Sequence, residues 1–210
     1  MADAFVNNVV WVHQEKLHFC GPAVAQMVLT VLGVASPATP PSWQTQLYDY
    51  VTANTNAKRP KNAPDTEESP AFPEQKCERC RTSDPYTCWS STPNVLKKLL
   101  NAKLGANRYT VSARANEESA TDALFDSIDQ GLPGIALIRG WAHWVVVDGY
   151  QHGLAGSENF LGRDVNGVYI RDPDATDSVH LIPWPKWRDE YLSVVPCGQY
   201  EGKIVVLKNA

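Results

Sequence analysis

Between Gly131 and Gly134 the apolar residues change period, and that change limits the chain to a mixed fold. Upstream they recur every three to four positions, at Val24, Met27, Val28 and Val31, then Val95, Leu96, Leu99 and Leu100, then Ala120, Leu124, Phe125 and Ile128. Each run carries the endings a helix needs. Pro22 suits a first turn, where its missing N–H has no acceptor to lose, and Gly33 suits a C-terminal stop. Thr92-Pro93 reads as an N-cap followed by the first helical residue, and Gly131 closes the run that begins at Glu117. Downstream, β-branched residues alternate with polar ones, which predicts strands over 134–139, 143–149, 167–171 and 203–207. A helix or turn is expected around 184–191. The expected architecture is α+β, an N-terminal helical part packed on a C-terminal antiparallel sheet.

A chain of 210 residues with 43% hydrophobic content can bury one sizeable core, so a single domain over 1–210 is expected. Within it, 36–92 reads as an elaborated insertion: prolines at 37, 40, 41, 60, 64, 70, 73 and 85 break any long periodicity. Trp43, Leu47, Tyr50 and Val51 nevertheless have helical spacing inside that insertion. A net charge of −4 without a run of Lys or Arg gives no footprint for nucleic acid or an anionic membrane, so neither is expected as a partner. The N-terminus lacks a basic stretch followed by an apolar one, and no segment approaches a membrane span. A cytoplasmic location, or export without a Sec signal peptide, is the expectation.

Five cysteines cannot all pair internally, and Cys20 is the natural free thiol. It stands in His18-Phe19-Cys20-Gly21-Pro22-Ala23, where the first helix begins, and a helix N-terminus favours the thiolate, the nucleophilic form. Six residues upstream, Gln14 offers an amide donor that a short loop can fold back beside a developing oxyanion. Taken singly, Cys20 reads more readily as a small buried hydrophobe and Gln14 as a solvated loop residue. A base elsewhere decides between these readings. His143 opens one predicted strand and Asp172 ends the next, and in an antiparallel pair those two ends are neighbours. An Asp beside a His fixes the imidazole tautomer and stabilises the imidazolium. Asp148 lies too far along the strand from His143 to do this and is expected to be structural, capping a turn at Gly149. His13 and His18 precede the cysteine without an Asp partner and are expected to pack or solvate the loop.

Gln14, Cys20-Gly21-Pro22-Ala23, His143-Trp144-Val145-Val146-Val147 and Ile170-Arg171-Asp172-Pro173 together resemble the papain-like cysteine peptidases. They are most similar to the bacteriocin-processing branch that cuts after double-glycine leaders. The resemblance covers two blocks, 10–33 and 93–175, and leaves the insertion unmatched. It implies a papain-like fold in which Cys20 is the nucleophile, His143 the general base and acid, and Asp172 the orienter. Gln14 and the Cys20 backbone N–H would form the oxyanion hole. It further implies a cysteine peptidase acting on a peptide or protein substrate, with no cofactor required for catalysis. Members of that branch are commonly the N-terminal part of a membrane transporter, whereas no transporter segment is found in this chain. The same thioester chemistry serves an amidase, deamidase or acyltransferase, and a non-catalytic binding module using the insertion is the reading from another class.

Cys77, Cys80 and Cys88 cluster within twelve residues. Three soft ligands suit zinc only with a fourth, for which His152, His180 or Cys197 are candidates; a disulfide inside the insertion or unpaired thiols fit equally. Trp141, Trp144, Trp184 and Trp187 read as core or rim packing, with Trp141 and Trp144 the two placed to line a cleft.

Overall fold

A computed structural model describes residues 3–6, 8–16, 19–34, 42–54, 91–139, 143–153, 159–160, 163–176, 178–195 and 200–210. Helix α1 (Cys20–Val31) begins at the predicted residue and is buried from Cys20 to Thr30. It ends at Gly33, whose φ of +76° suits only a residue without a Cβ, and the Val34 N–H closes the turn on the Leu29 carbonyl at 2.9 Å. The insertion contributes α2 (Ser42–Asn54), which buries Leu47 and Val51 against the core. Helix α3 (Pro93–Leu104) starts as its sequence dictates, with the Thr92 hydroxyl accepting the Val95 N–H at 3.2 Å. Helix α4 (Glu117–Asp129) is capped by Asn116, whose side chain accepts the Ser119 N–H at 2.8 Å.

The strands are β1 (Ala4–Phe5), β2 (Tyr109–Arg114), β3 (Gly134–Ile138), β4 (His143–His152), β5 (Asn159–Phe160), β6 (Arg163–Arg171), β7 (His180–Pro183) and β8 (Ile204–Asn209). They lie in the order β2-β8-β3-β4-β6-β5, with β1 added to β4 and β7 to β6, and every strand pairing is antiparallel. A one-turn helix, α5 (Trp184–Lys186), runs into a π-helical turn (Trp187–Tyr191) over the segment expected to be a helix or turn. Helices α1 and α4 pack against the sheet, and β4 is buried at every position from His143 to Tyr150. The fold is α+β and papain-like.

The sheet holds a strand the sequence did not predict: β2 lies between α3 and α4 and pairs along its whole length with the C-terminal β8. Its Tyr109 is buried, with the hydroxyl donating to the Pro133 carbonyl at 2.9 Å. Gly149, in turn, closes no turn. It lies within β4 opposite Phe5, and Asp148 sits at a bulge between the Val147–Ile170 and Gly149–Tyr169 pairs. There the buried Asp148 carboxylate accepts from Arg171 Nε at 2.5 Å. Burial pushes this carboxyl above the usual carboxylate range, against the pull of Arg171.

Candidate active site

The sheet register brings the predicted residues together. Val146 of β4 faces Arg171 of β6, so His143, at the start of β4, and Asp172, just past the end of β6, share one rim of the sheet. His143 Nε2 lies 2.6 Å from Asp172 Oδ1. An ionised carboxylate only accepts, so Nε2 carries the proton of this bond and Nδ1 is left to face elsewhere. The Cys20 thiol, at the first position of α1, lies within electrostatic reach of the imidazole and favours its protonated form. Cys20, His143 and Asp172 are 3%, 9% and 7% exposed, so this chain of contacts is sheltered from bulk water.

Electrostatics follow from that geometry. Burial works against a charged imidazole at His143, but hydrogen bonds to Asp172 and Cys20 and their negative charges outweigh it and push the group up to about 10. Burial likewise opposes the Asp172 carboxylate, yet its bond to His143, the His143 charge, the Asp174 N–H at 2.9 Å and the Arg139 charge hold it below the usual range. The imidazolium–carboxylate form is therefore the stable one at neutral pH. Helix α1 adds to this. It has no capping side chain and no acidic residue in its first turn, so the partial positive charge beside Cys20 is not neutralised from within the helix.

Gln14 lies in the irregular segment before α1 and is 5% exposed. Its backbone N–H donates to the Pro173 carbonyl at 2.8 Å, and its side-chain Nε2 donates to Asp174 Oδ1 at 3.1 Å. Trp11 ties the same segment to the same turn, its indole N–H donating to the Asp172 carbonyl at 2.8 Å. His13 packs edge-on to Trp11 and hydrogen-bonds the Gln14 carbonyl through Nδ1 at 2.6 Å. His18 and Trp141 lie outside the described residues, as do Cys77, Cys80, Cys88 and Cys197. Trp144, expected to be placed for a cleft, is instead fully buried and donates its indole N–H to the Ser91 carbonyl at 2.8 Å. Trp184 and Trp187 are buried as core residues.

The sequence reading did not single out Asp174, Gln44 or Arg139. Gln44 of α2 holds the backbone on either side of Gln14, and Arg139, with φ +55°, lies over the Tyr191 ring at 5.5 Å. A recess of about 250 Å³ lined by Arg139, Asp172, Asp174, His180 and Tyr191 opens beside the His143–Asp172 pair. The repeated carboxylate in Asp172-Pro173-Asp174 was the one visible signal, and it reads as an ordinary turn. Among the described residues, no group of three or more His, Cys, Asp or Glu is arranged to hold a metal ion.

A sequence profile of the Peptidase_C39 like family matches residues 6–195. The chain belongs to this family. It is thus a papain-like cysteine peptidase. Among solved structures, a C39-like peptidase from Bacillus anthracis is similar over 100% of this chain and 98% of its own, with 13% identity and a TM-score of 0.54. That likeness shows a common fold. The peptidase domain of Streptococcus ComA, a bi-functional ABC transporter of a quorum sensing pathway, covers 97% of this chain and 98% of its own at 16% identity and a TM-score of 0.49. A double glycine motif protease from an AMS/PCAT transporter, crystallised with its leader peptide, covers 100% of each chain at 14% identity and a TM-score of 0.47. No curated protein matches this C39-like peptidase. Among its described residues, no helix is long and apolar enough to cross a membrane.

Proposed function

We propose that this C39-like peptidase cleaves peptide bonds in a peptide or protein substrate through a Cys20-His143-Asp172 triad. The supporting observation is the buried His143–Asp172 hydrogen bond, 2.6 Å long, with Cys20 at the start of α1 acting on the same imidazole. With the thiol proton already resting on His143, the Cys20 sulfur attacks the scissile carbonyl carbon, forming a C–S bond and an oxyanion. The Cys20 backbone N–H, at a helix position with no intrahelical acceptor, and the Gln14 amide stabilise that oxyanion. As the C–N bond breaks, His143 returns its proton to the leaving amine and a thioester remains. Water, deprotonated by His143, then attacks the thioester; the C–S bond breaks, the acid is released and the Cys20 sulfur is left beside the protonated His143. Asp172 keeps the ring oriented throughout, and no step needs a cofactor.

Because the leaving amine takes its proton from His143, the residues following the scissile bond lie on the His143 side. The recess beside Asp172 and Arg139 is the space available to them. The insertion at 36–92 then belongs to one catalytic domain over 1–210, joined to it through α2.

Incubation of wild type and Cys20→Ala with a peptide library, read by mass spectrometry, tests this proposal. Wild type should produce new N-termini and Cys20→Ala none. A one-dalton mass gain without chain scission would assign the same site to deamidation, and equal cleavage by both proteins would remove the peptidase assignment from Cys20.

A further inference from the structure

We infer that Asp174 and Gln44 are positioning residues that hold Gln14 in the attitude an oxyanion hole requires, an inference that rests on the assignment of Gln14 made above. A primary amide carries an acceptor oxygen and a donor nitrogen on one rotatable arm, and only the nitrogen end stabilises an oxyanion. Something must choose the end. Asp174 Oδ1, which accepts and cannot donate, receives one Nε2 hydrogen at 3.1 Å. That bond fixes the nitrogen on the Asp174 side, and the second hydrogen of the same nitrogen is the one an oxyanion would take. Asp174 is itself exposed, but the amide it holds is buried. Its backbone N–H also donates to Asp172 Oδ1 at 2.9 Å, so one residue ties the amide to the carboxylate that orients His143.

The backbone of Gln14 needs separate restraint, because it lies in a segment without regular structure. Gln44 supplies it from α2. Its Nε2 donates to the His13 carbonyl at 2.8 Å and its Oε1 accepts the Glu15 N–H at 3.0 Å, so the two residues flanking Gln14 are gripped by one side chain. Gln44 is 1% exposed, which shields both bonds from competing water. The insertion thus holds the backbone on either side of Gln14 through a buried amide, and the Asp172–Asp174 turn holds the Gln14 side chain and backbone N–H.

Both residues act through Gln14, and a double-mutant cycle reads that directly. With a peptide that wild type cleaves, Gln14→Ala should lower kcat by about 10²-fold or more, the usual loss for one oxyanion donor. Asp174→Ala and Gln44→Met should each lower kcat about tenfold with little change in KM, since the interaction they support forms only in the transition state. Asp174→Asn, which keeps an acceptor oxygen, should restore most of the loss. In the Gln14→Ala background neither substitution should have a further effect. Alkylation of Cys20 by iodoacetamide, which forms no oxyanion, should proceed at the wild-type rate in every variant. Wild-type kcat in both Asp174→Ala and Gln44→Met, or full additivity with Gln14→Ala, would overturn the inference while leaving the peptidase assignment standing. Should Asp174→Ala fail to fold, Gln44→Met tests the same restraint from the other side. A wild type that cleaves nothing and loses nothing on Cys20→Ala overturns the underlying assignment, and the inference with it.

Discussion

Replacing Asp172 with Asn should shift the alkaline limit of activity downwards, because Asp172 supplies much of what keeps His143 protonated. The group rises from an ordinary 6.5 to about 10 despite a burial that works against its charge. At about 1.4 kcal/mol per pH unit this is a preference on the order of 5 kcal/mol for the imidazolium. The substituted amide keeps an oxygen to accept the Nε2 proton but loses the charge. A hydrogen bond between charged groups contributes about 1.5–3 kcal/mol, against about 1 for a neutral one, so the loss is roughly 1–2 kcal/mol. The alkaline limb of kcat/KM should therefore move down by about one pH unit, measured from pH 5 to 11 and checked by NMR titration of the His143 ring. Stability should respond with a definite sign. His143 sits above its unfolded value, so its contribution is complete below about pH 6.5 and is lost as the pH rises through about 10. Asp172 sits below its unfolded value, so its contribution is complete above about pH 4 and is lost on acidification. Wild-type Tm should fall between pH 7 and 10, and Asp172→Asn should flatten that fall. An alkaline limb that stays within about 0.3 pH unit of wild type, a resolvable fraction of the expected change, would refute the electrostatic account.

Gly21→Ala should destabilise the protein even though Ala favours a helix over Gly by about 1 kcal/mol, because the added Cβ would meet Ser91 Oγ at 2.4 Å and Ser91 Cβ at 2.8 Å. Overpacking of this kind costs about 1–3 kcal/mol, so denaturant unfolding should show a net loss; a variant more stable than wild type would contradict the packing. Arg171→Met should destabilise more than Asp148→Asn, because it leaves a fully buried carboxylate without its cation, a loss of about 3–5 kcal/mol, whereas the Asn can stay neutral in place. The same denaturant measurement checks that order, and equal losses would mean that Asp148 is already neutral in the folded protein.

What could be read from the sequence was what local chemistry decides. Thr92-Pro93 starts a helix because a side-chain oxygen and a missing N–H are sufficient, whatever the helix later packs against. Cys20, His143 and Asp172 were legible for a related reason: each sits at the end of a predicted element, and the antiparallel rule places the ends of consecutive strands side by side. Strand β2 escaped because its alternation spans only six residues, Arg114 among them, and its partner β8 lies at the far end of the chain. Gln14 shows where local reading stops. Its six-residue interval to Cys20 sets how far the loop reaches but not how the amide is turned. The Gln14 amide nitrogen is held by Asp174, 160 residues away, and the flanking backbone by Gln44, about 30 residues away, and neither partner carries any mark of this contact in its own neighbourhood. A helix or strand specifies its own backbone through periodic hydrogen bonds. A segment such as 8–16 has none of its own, so its conformation is set by whichever long-range donors and acceptors meet it. In such a segment the least legible residues, Asp174 and Gln44, are those whose replacement should change the geometry at Gln14 most.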